Sequence, residues 1–269
     1  MKIKILHTTE YKYNSTIPKL IQCLKLYPSI CNNQKILKWN ITSNHGKIID
    51  SHVDGLGHKV QNIYLNNFTG KLKITSNGLI KTKDFAGVIK GLKEKVNPIC
   101  FLRETKLTLP CEDIIKISRQ AKKKHSNTVD FIHELNLIVS KSIRYVSGST
   151  NISTSSHEAL KQKKGVCQDF AHILITAARF NGIPARYVNG FLLDDMNSTE
   201  NSTHAWVEIF IKDLGWVGFD PSHQKCIDEN YIRISTGFDF LDASTIKGVK
   251  TNYDGDEVLN TKVNIEQCQ

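Results

Sequence analysis

The chain has 269 residues, 40% of them apolar, with 36 Lys and Arg against 26 Asp and Glu and a formal net charge of +10. That length allows one large domain or two of ordinary size with a real core, and no apolar run approaches the roughly 20 residues of a membrane-spanning helix. Thirty of the 36 basic residues are lysine, whereas bidentate contact with phosphates and bases favours arginine; with no zinc-finger or RNA-binding signature beside them, a nucleic-acid partner is not expected.

The start, "MKIKILHTTEYKYN", alternates like a strand and lacks the apolar block of a signal peptide. The seven cysteines are odd in number, scattered and without a C-x-x-C pair, which argues for reduced thiols and a cytoplasmic location.

In chain order, "IKILHTTEYKY" puts Ile3, Ile5, Thr9, Tyr11 and Tyr13 on one strand face, and "IQCLKLYP" reads as a strand stopped at Pro28. "SNHGK", "VDGLG" and "SNGLI" carry turn chemistry, with Asn77-Gly78 the strongest hairpin signal. Beyond Pro110 the period changes: Ile114, Ile115, Ser118 and Ala121, then Phe131, Leu135, Ile138 and Val139, fall at helical spacing, and Lys122 to Lys124 read as a solvated helix end. A boundary follows, with a β-rich N-terminal domain over 1–108 and a second domain over 109–269. There is no internal repeat or long linker, so the two are expected to pack directly on each other.

The segment "GVCQDFAHILITAARFNGIPARYVNGF" predicts an apolar helix after Cys167, with Phe170, Ile173, Ala177 and Phe180 in one stripe and Ala171, Leu174 and Ala178 in the next. Asn181-Gly182 stops it, and "ARYVNGFLL" reads as a strand. Cys167 is thereby placed in the first turn, where free N–H groups and the positive end of the dipole favour an anion, and the thiolate is the nucleophilic form. A small buried hydrophobe is the plainer alternative for a single cysteine.

Downstream, "STHAWVEIFIKDLGWVGFDPSHQ" sets His204 at the head of a strand, a turn around Asp213-Leu214-Gly215, and a second strand ending at Asp220-Pro221. His204 and Asp220 are 16 residues apart, so direct opposition needs an odd loop, a three- or five-residue turn between about 210 and 214, or a bulge. Cys167, His204 and Asp220 then supply a nucleophile, a base for its proton and a carboxylate that fixes the imidazole.

These boxes, ordered as Cys-Gln-Asp-Phe-Ala-His, His-Ala-Trp and Gly-Phe-Asp-Pro over about residues 140 to 240, resemble the core of the bacterial transglutaminase-like proteins, relatives of papain-type cysteine proteases and animal transglutaminases. "YKYNSTIPKLIQCLKLYPS" is similar to the opening of the β-domain that precedes this core in one bacterial subgroup. The resemblance implies an α+β fold with a papain-like, transglutaminase-like core, with Cys167 as nucleophile, His204 as general base and acid and Asp220 as orienting carboxylate. It implies a cysteine protease or amidase, with a peptide or protein substrate and no cofactor. The backbone N–H of Cys167 would be one oxyanion donor, and the sequence does not identify the second.

Two departures stand out. Ser222-His223 follow Asp220-Pro221 where the family usually has Thr-Asn, and "GFDF" puts Phe238 where arginine is common, which bears on how the C-terminal segment is anchored. Asp169 and His172 sit beside the nucleophile, to hydrogen-bond structurally or to shape the site. Trp206 shares the face of His204, to shield the triad or to fill the core. Asp169 and Trp206 are also the candidate substrate-binding residues.

His157, Cys167, His172, His204, His223 and Cys226 match no zinc spacing, so no metal is expected. "NIS" at 151–153 and "NST" at 201–203 fit a glycosylation pattern that has no meaning without secretion. Acyl transfer to water makes the protein a hydrolase, and transfer to an amine makes it a protein-glutamine amine transferase. A catalytically idle interaction domain with the triad kept as scaffold is the non-enzymatic alternative.

Overall fold

The computed structural model describes residues 1–94, 96–124, 127–193 and 203–268; Asn201 and Ser202 of the second glycosylation-like pattern lie outside them. The chain opens with β1 (Lys2–Leu24), β2 (Gln34–Ser43), β3 (Ile48–Val53) and β4 (Lys59–Thr82), and then turns helical in α1 (Glu112–Lys124) and α2 (Thr128–Ser142). The two-residue strand β5 (Arg144–Tyr145), α3 (Ser156–Gln162) and β6 (Lys164–Gly165) lead to α4 (Cys167–Phe180). After it come β7 (Ala185–Leu192), β8 (Thr203–Ile211), β9 (Gly215–Asp220), β10 (Lys225–Cys226), β11 (Tyr231–Gly237), α5 (Phe240–Ala243), β12 (Ile246–Thr251) and β13 (Glu257–Cys268).

The first sheet is built on the long antiparallel pair β1 and β4, with β2 and β3 on the free edge of β4. The face predicted for β1 is the buried one: Ile3, Ile5, Thr9, Tyr11 and Tyr13 are all 8% exposed or less. Its other edge pairs with β13 along Lys2 to Tyr13 and with β12 along Lys19 to Leu24. The C-terminal residues from Ile246 onward therefore return to the N-terminal sheet. The first sheet thus draws on both sides of the expected division at 108/109, because local periodicity records that a strand forms but not which sheet receives it.

The Asn77-Gly78 hairpin does not form. Gly78 lies inside β4, paired with Ile5 on one side and Trp39 on the other. A Cβ there would sit 2.1 Å from the Lys38 carbonyl oxygen and 2.5 Å from the Trp39 ring. The glycine serves the close approach of β2, whose register shifts between Ile36 and Lys38.

The second sheet has the order β10-β9-β8-β7-β11, antiparallel throughout. Ala205, Val207, Ile209 and Ile211 of β8 meet Phe170, Ile173, Leu174 and Ala177 of α4 in one apolar core. The opposite face is covered by the first sheet and by the segment after β4: Ile3, Ile5, Ile80 and Val263 pack on Phe191, Ile232 and Ile234, while Ile89 and Phe101 pack with Val188, Trp206 and Trp216. Both faces of the sheet are thus dry, which is why β7 and β11 read as nearly continuous buried runs. Phe180, assigned to the apolar stripe of α4, is instead 43% exposed, as the last residue of the helix before its stop at Asn181-Gly182.

An ionic cluster is buried within this interface. Glu208 of β8 accepts from Arg186 Nε at 2.7 Å and from Arg233 Nε at 2.7 Å. Arg186 also binds Glu94 at 2.5 Å, and Arg233 donates to Ser29 at 2.7 Å. Burial opposes the Glu208 charge, and the two guanidinium groups more than reverse that, holding its carboxyl below the usual range. Removing one member of a buried pair typically costs about 3–5 kcal/mol. Glu208→Gln is accordingly expected to lower unfolding stability by that amount in urea titration, whereas a loss of under about 1 kcal/mol would show the cluster to be energetically idle.

Candidate active site

Cys167 is the first residue of α4, as its sequence context predicts, with Val166 as N-cap in extended conformation. Asp169 folds back on the start of the helix, its Oδ2 accepting from the Val166 N–H at 2.7 Å and from the Thr150 hydroxyl at 2.7 Å. Burial raises the Asp169 pKa, opposed by those two bonds. His172 is fully buried; its Nε2 accepts from the Phe240 N–H at 3.1 Å, and burial lowers its pKa to about 4. Both residues thus spend hydrogen bonds on the backbone around the start of α4 and of α5.

β8 and β9 are joined by a three-residue turn, Lys212 to Leu214, between the paired Ile211 and Gly215. The odd turn matches the expectation, but it is centred one residue later than direct opposition requires. The register Val207 to Phe219, carried one step further, sets Asp220 beside Trp206. His204 and Asp220 meet diagonally, His204 Nε2 to Asp220 Oδ2 at 2.6 Å.

Asp220 is fully buried and makes three contacts at each oxygen. Oδ2 accepts from His204, from His223 Nδ1 at 2.9 Å and from the Tyr231 hydroxyl at 2.8 Å. Oδ1 accepts from the Ser222 N–H at 2.9 Å, the Ser222 hydroxyl at 2.6 Å and the His223 N–H at 3.2 Å. Burial alone would raise its pKa; His204 and then His223 reverse this and hold the carboxyl far below its usual range. His204, 8% exposed, is the mirror case: burial disfavours its charge, but Asp220 and then a hydrogen bond with Cys167 raise its pKa to about 10. With Nε2 committed to Asp220, Nδ1 is the nitrogen left for the thiol. The structure thus brings His204 against both Asp220 and Cys167.

Trp206 is 0% exposed. Its ring lies 6.4 Å from His204 and 5.4 Å from Tyr231, seated over Gly190, where a Cβ would fall 2.5 Å from the indole. Trp206 and Asp169, the two expected to bind substrate, are both fully buried. Face and proximity along the chain did not reveal that depth.

Sequence reasoning missed the roles of Ser222, His223 and Tyr231; the only signal was the departure at 222–223. At the other departure, Phe238 is held without a local arginine. Its carbonyl accepts from Arg179 Nη2 at 2.7 Å, and its ring lies 4.8 Å from the Arg103 guanidinium. Among the described residues His204, Asp220 and His223 have donor atoms within 4.8 Å of one another, but both imidazoles give hydrogens to one carboxylate oxygen, which suits an ion pair more than a metal.

Residues 115–221 match the family model described as the transglutaminase-like superfamily, and residues 3–81 the bacterial transglutaminase-like N-terminal region. A protein of Mycobacterium leprae with no assigned function is 24% identical over 263 residues, 92% of each chain. A crystal structure from Cytophaga hutchinsonii, provisionally described as a cysteine protease, superposes with a TM-score of 0.78 at 22% identity, covering 99% of this chain and 90% of that one. A protein-glutamine gamma-glutamyltransferase of Pseudomonas aeruginosa is 33% identical over 69 residues, 23% of this chain and 10% of that protein. Among the described residues no helix is long and apolar enough to cross a membrane.

The His204 ion pair has a defined pH signature. A raised folded-state pKa contributes stability that is fully present below the ordinary value of 6.5 and is lost as pH rises through about 10. Wild type is therefore expected to exceed Asp220→Asn in urea stability most at or below pH 6.5, the gap narrowing toward pH 10. Parallel curves over that window would show that Asp220 does not hold the imidazolium.

Proposed function

We propose that this chain, whose core belongs to the transglutaminase-like superfamily and which carries a bacterial transglutaminase-like N-terminal region, is a cysteine hydrolase acting on peptide-like amides through a thioester on Cys167. The observation that carries the reading is the buried Asp220 carboxylate holding His204 at 2.6 Å with its other nitrogen turned to the thiol at the head of α4. Cys167 is the nucleophile, His204 moves the proton, and Asp220 stays ionised to orient and charge the imidazole.

In this mechanism the Cys167 sulfur attacks the carbonyl carbon and the π pair moves onto oxygen, where the Cys167 N–H donates to it. Collapse breaks the C–N bond as the His204 imidazolium protonates the leaving amine. The neutral imidazole then takes a proton from water as the water oxygen bonds to the thioester carbon; collapse breaks the C–S bond, releases the acid and leaves the Cys167 thiolate beside the His204 imidazolium. An amine in place of water would give transfer, the reading to which the Pseudomonas aeruginosa relative lends support. Hydrolysis is favoured because a transferase acting among cytoplasmic proteins would cross-link its neighbours. A reducing, cytoplasmic setting suits a reaction that needs Cys167 as a free thiol.

Cys167→Ala is expected to fold as wild type and to lose activity by three or more orders of magnitude. Mass spectrometry of cell extract incubated with each protein is the measurement: new peptide termini with wild type alone support hydrolysis, and new isopeptide bonds support transfer. Equal products with both proteins would refute the nucleophile.

A further inference from the structure

The mechanism leaves one oxyanion donor unassigned, and the segment before α3 supplies a group for it. β5 and β6 form a short parallel ladder in which Arg144 pairs with Lys164 and Tyr145 with Gly165. It is secured by the Arg144 N–H on the Lys163 carbonyl at 3.0 Å and by the Val146 N–H on the Gly165 carbonyl at 2.9 Å. The backbone of Tyr145 is thus pinned beside the chain two residues before the nucleophile. Its ring stacks on Phe170, one turn into α4, with centroids 6.3 Å apart and planes 20° from parallel. The side chain thus lies along the first turn, with its hydroxyl near enough to Cys167 for that residue's backbone and charge to bear on it.

That N–H is the one a tetrahedral intermediate would use. The phenol beside it carries a hydrogen of its own to give. Tyr145 is 56% exposed, so the space in front of it is open to an incoming carbonyl. Resting on the existing reading of Cys167 as nucleophile, we propose that the Tyr145 hydroxyl is the second oxyanion donor, acting beside the Cys167 N–H. As sulfur bonds to carbon and the π pair moves to oxygen, both groups donate to that oxygen without surrendering their protons. Collapse re-forms the C=O bond and leaves Tyr145 unchanged. Partial burial, then the charges at Cys167 and Asp220, push the Tyr145 pKa up to about 12, so it remains a protonated donor at neutral pH.

A pair of thiol reagents separates this role from a structural one. p-Nitrophenyl acetate acylates sulfur through a tetrahedral oxyanion, whereas iodoacetamide alkylates it by direct displacement and forms none. Tyr145→Phe keeps the ring on Phe170 and removes only the hydroxyl. Loss of one oxyanion donor typically costs about 10²–10³ in rate. The expected result is therefore acylation of Cys167 slowed about 100-fold, with alkylation by iodoacetamide within about twofold of wild type. Acylation within twofold of wild type overturns the proposal, as does faster acylation, which would make the hydroxyl a plug in the oxyanion site. Equal slowing with both reagents also overturns it, by showing that the phenol supports the thiol itself. Failure of the underlying reading looks different: wild-type Cys167 would react with neither reagent.

Discussion

An ionised carboxylate taken out of water is among the most costly groups a fold can bury, and Asp220 is tolerable only because each of its oxygens is surrounded by donors. Those donors come from β8 (His204), from the start of β11 at the far side of the sheet (Tyr231), and from the turn after β9 (Ser222 and His223). Satisfying one charge thus fixes the relative position of three segments. The same charge keeps His204 protonated despite its burial, and the imidazole in turn faces the first residue of α4. The geometry at the thiol is therefore inherited from a solvation problem two residues away.

β8 solves two such problems in succession. Its residues 205, 207, 209 and 211 face the helices, so period-two alternation sends His204, Trp206 and Glu208 to the opposite face. Asp220 meets one end of that row, the Arg186 and Arg233 guanidinium groups meet the other, and the indole of Trp206 separates them. The β-rich N-terminal region closes this face. Ser29, Gln34 and Glu94 complete the arginine partners, and His58 accepts the Thr236 N–H at 2.9 Å. That region therefore excludes water from the back of the site, and its sheet is itself completed by β12 and β13, the last strands of the described chain.

The fold was legible where a local period decided it. The buried face of β1, the helix that begins at Cys167, its stop at Asn181-Gly182 and the strand that follows were all written in short windows. The pairing of 246–268 with β1 was not, because strand partners are chosen by the whole fold. Gly78 misled for a related reason: Asn-Gly is a turn signal only when nothing else needs a side chain removed, and there Trp39 and the Lys38 carbonyl did. At the site, Cys167, His204 and Asp220 stood out because nucleophile, base and carboxylate are scarce residue types in a telling order. Tyr145, Tyr231 and Ser222 are common residues whose chemistry appears only once the chain has placed them.

The one-residue displacement of the β8–β9 turn shows how backbone register governs that chemistry. Had the turn been centred at 212, His204 and Asp220 would face each other across the ladder, and residues 222 and 223 would lie beyond the pair. Centred at 213, the register puts position 222 across from His204, where the strand has already ended at Asp220. Released from pairing, Ser222 and His223 turn their N–H groups back onto Asp220 Oδ1, leaving Oδ2 for His204, His223 Nδ1 and Tyr231. A diagonal contact thereby gives the carboxylate a full set of donors that direct opposition, with strand pairing continued past Asp220, would have denied it.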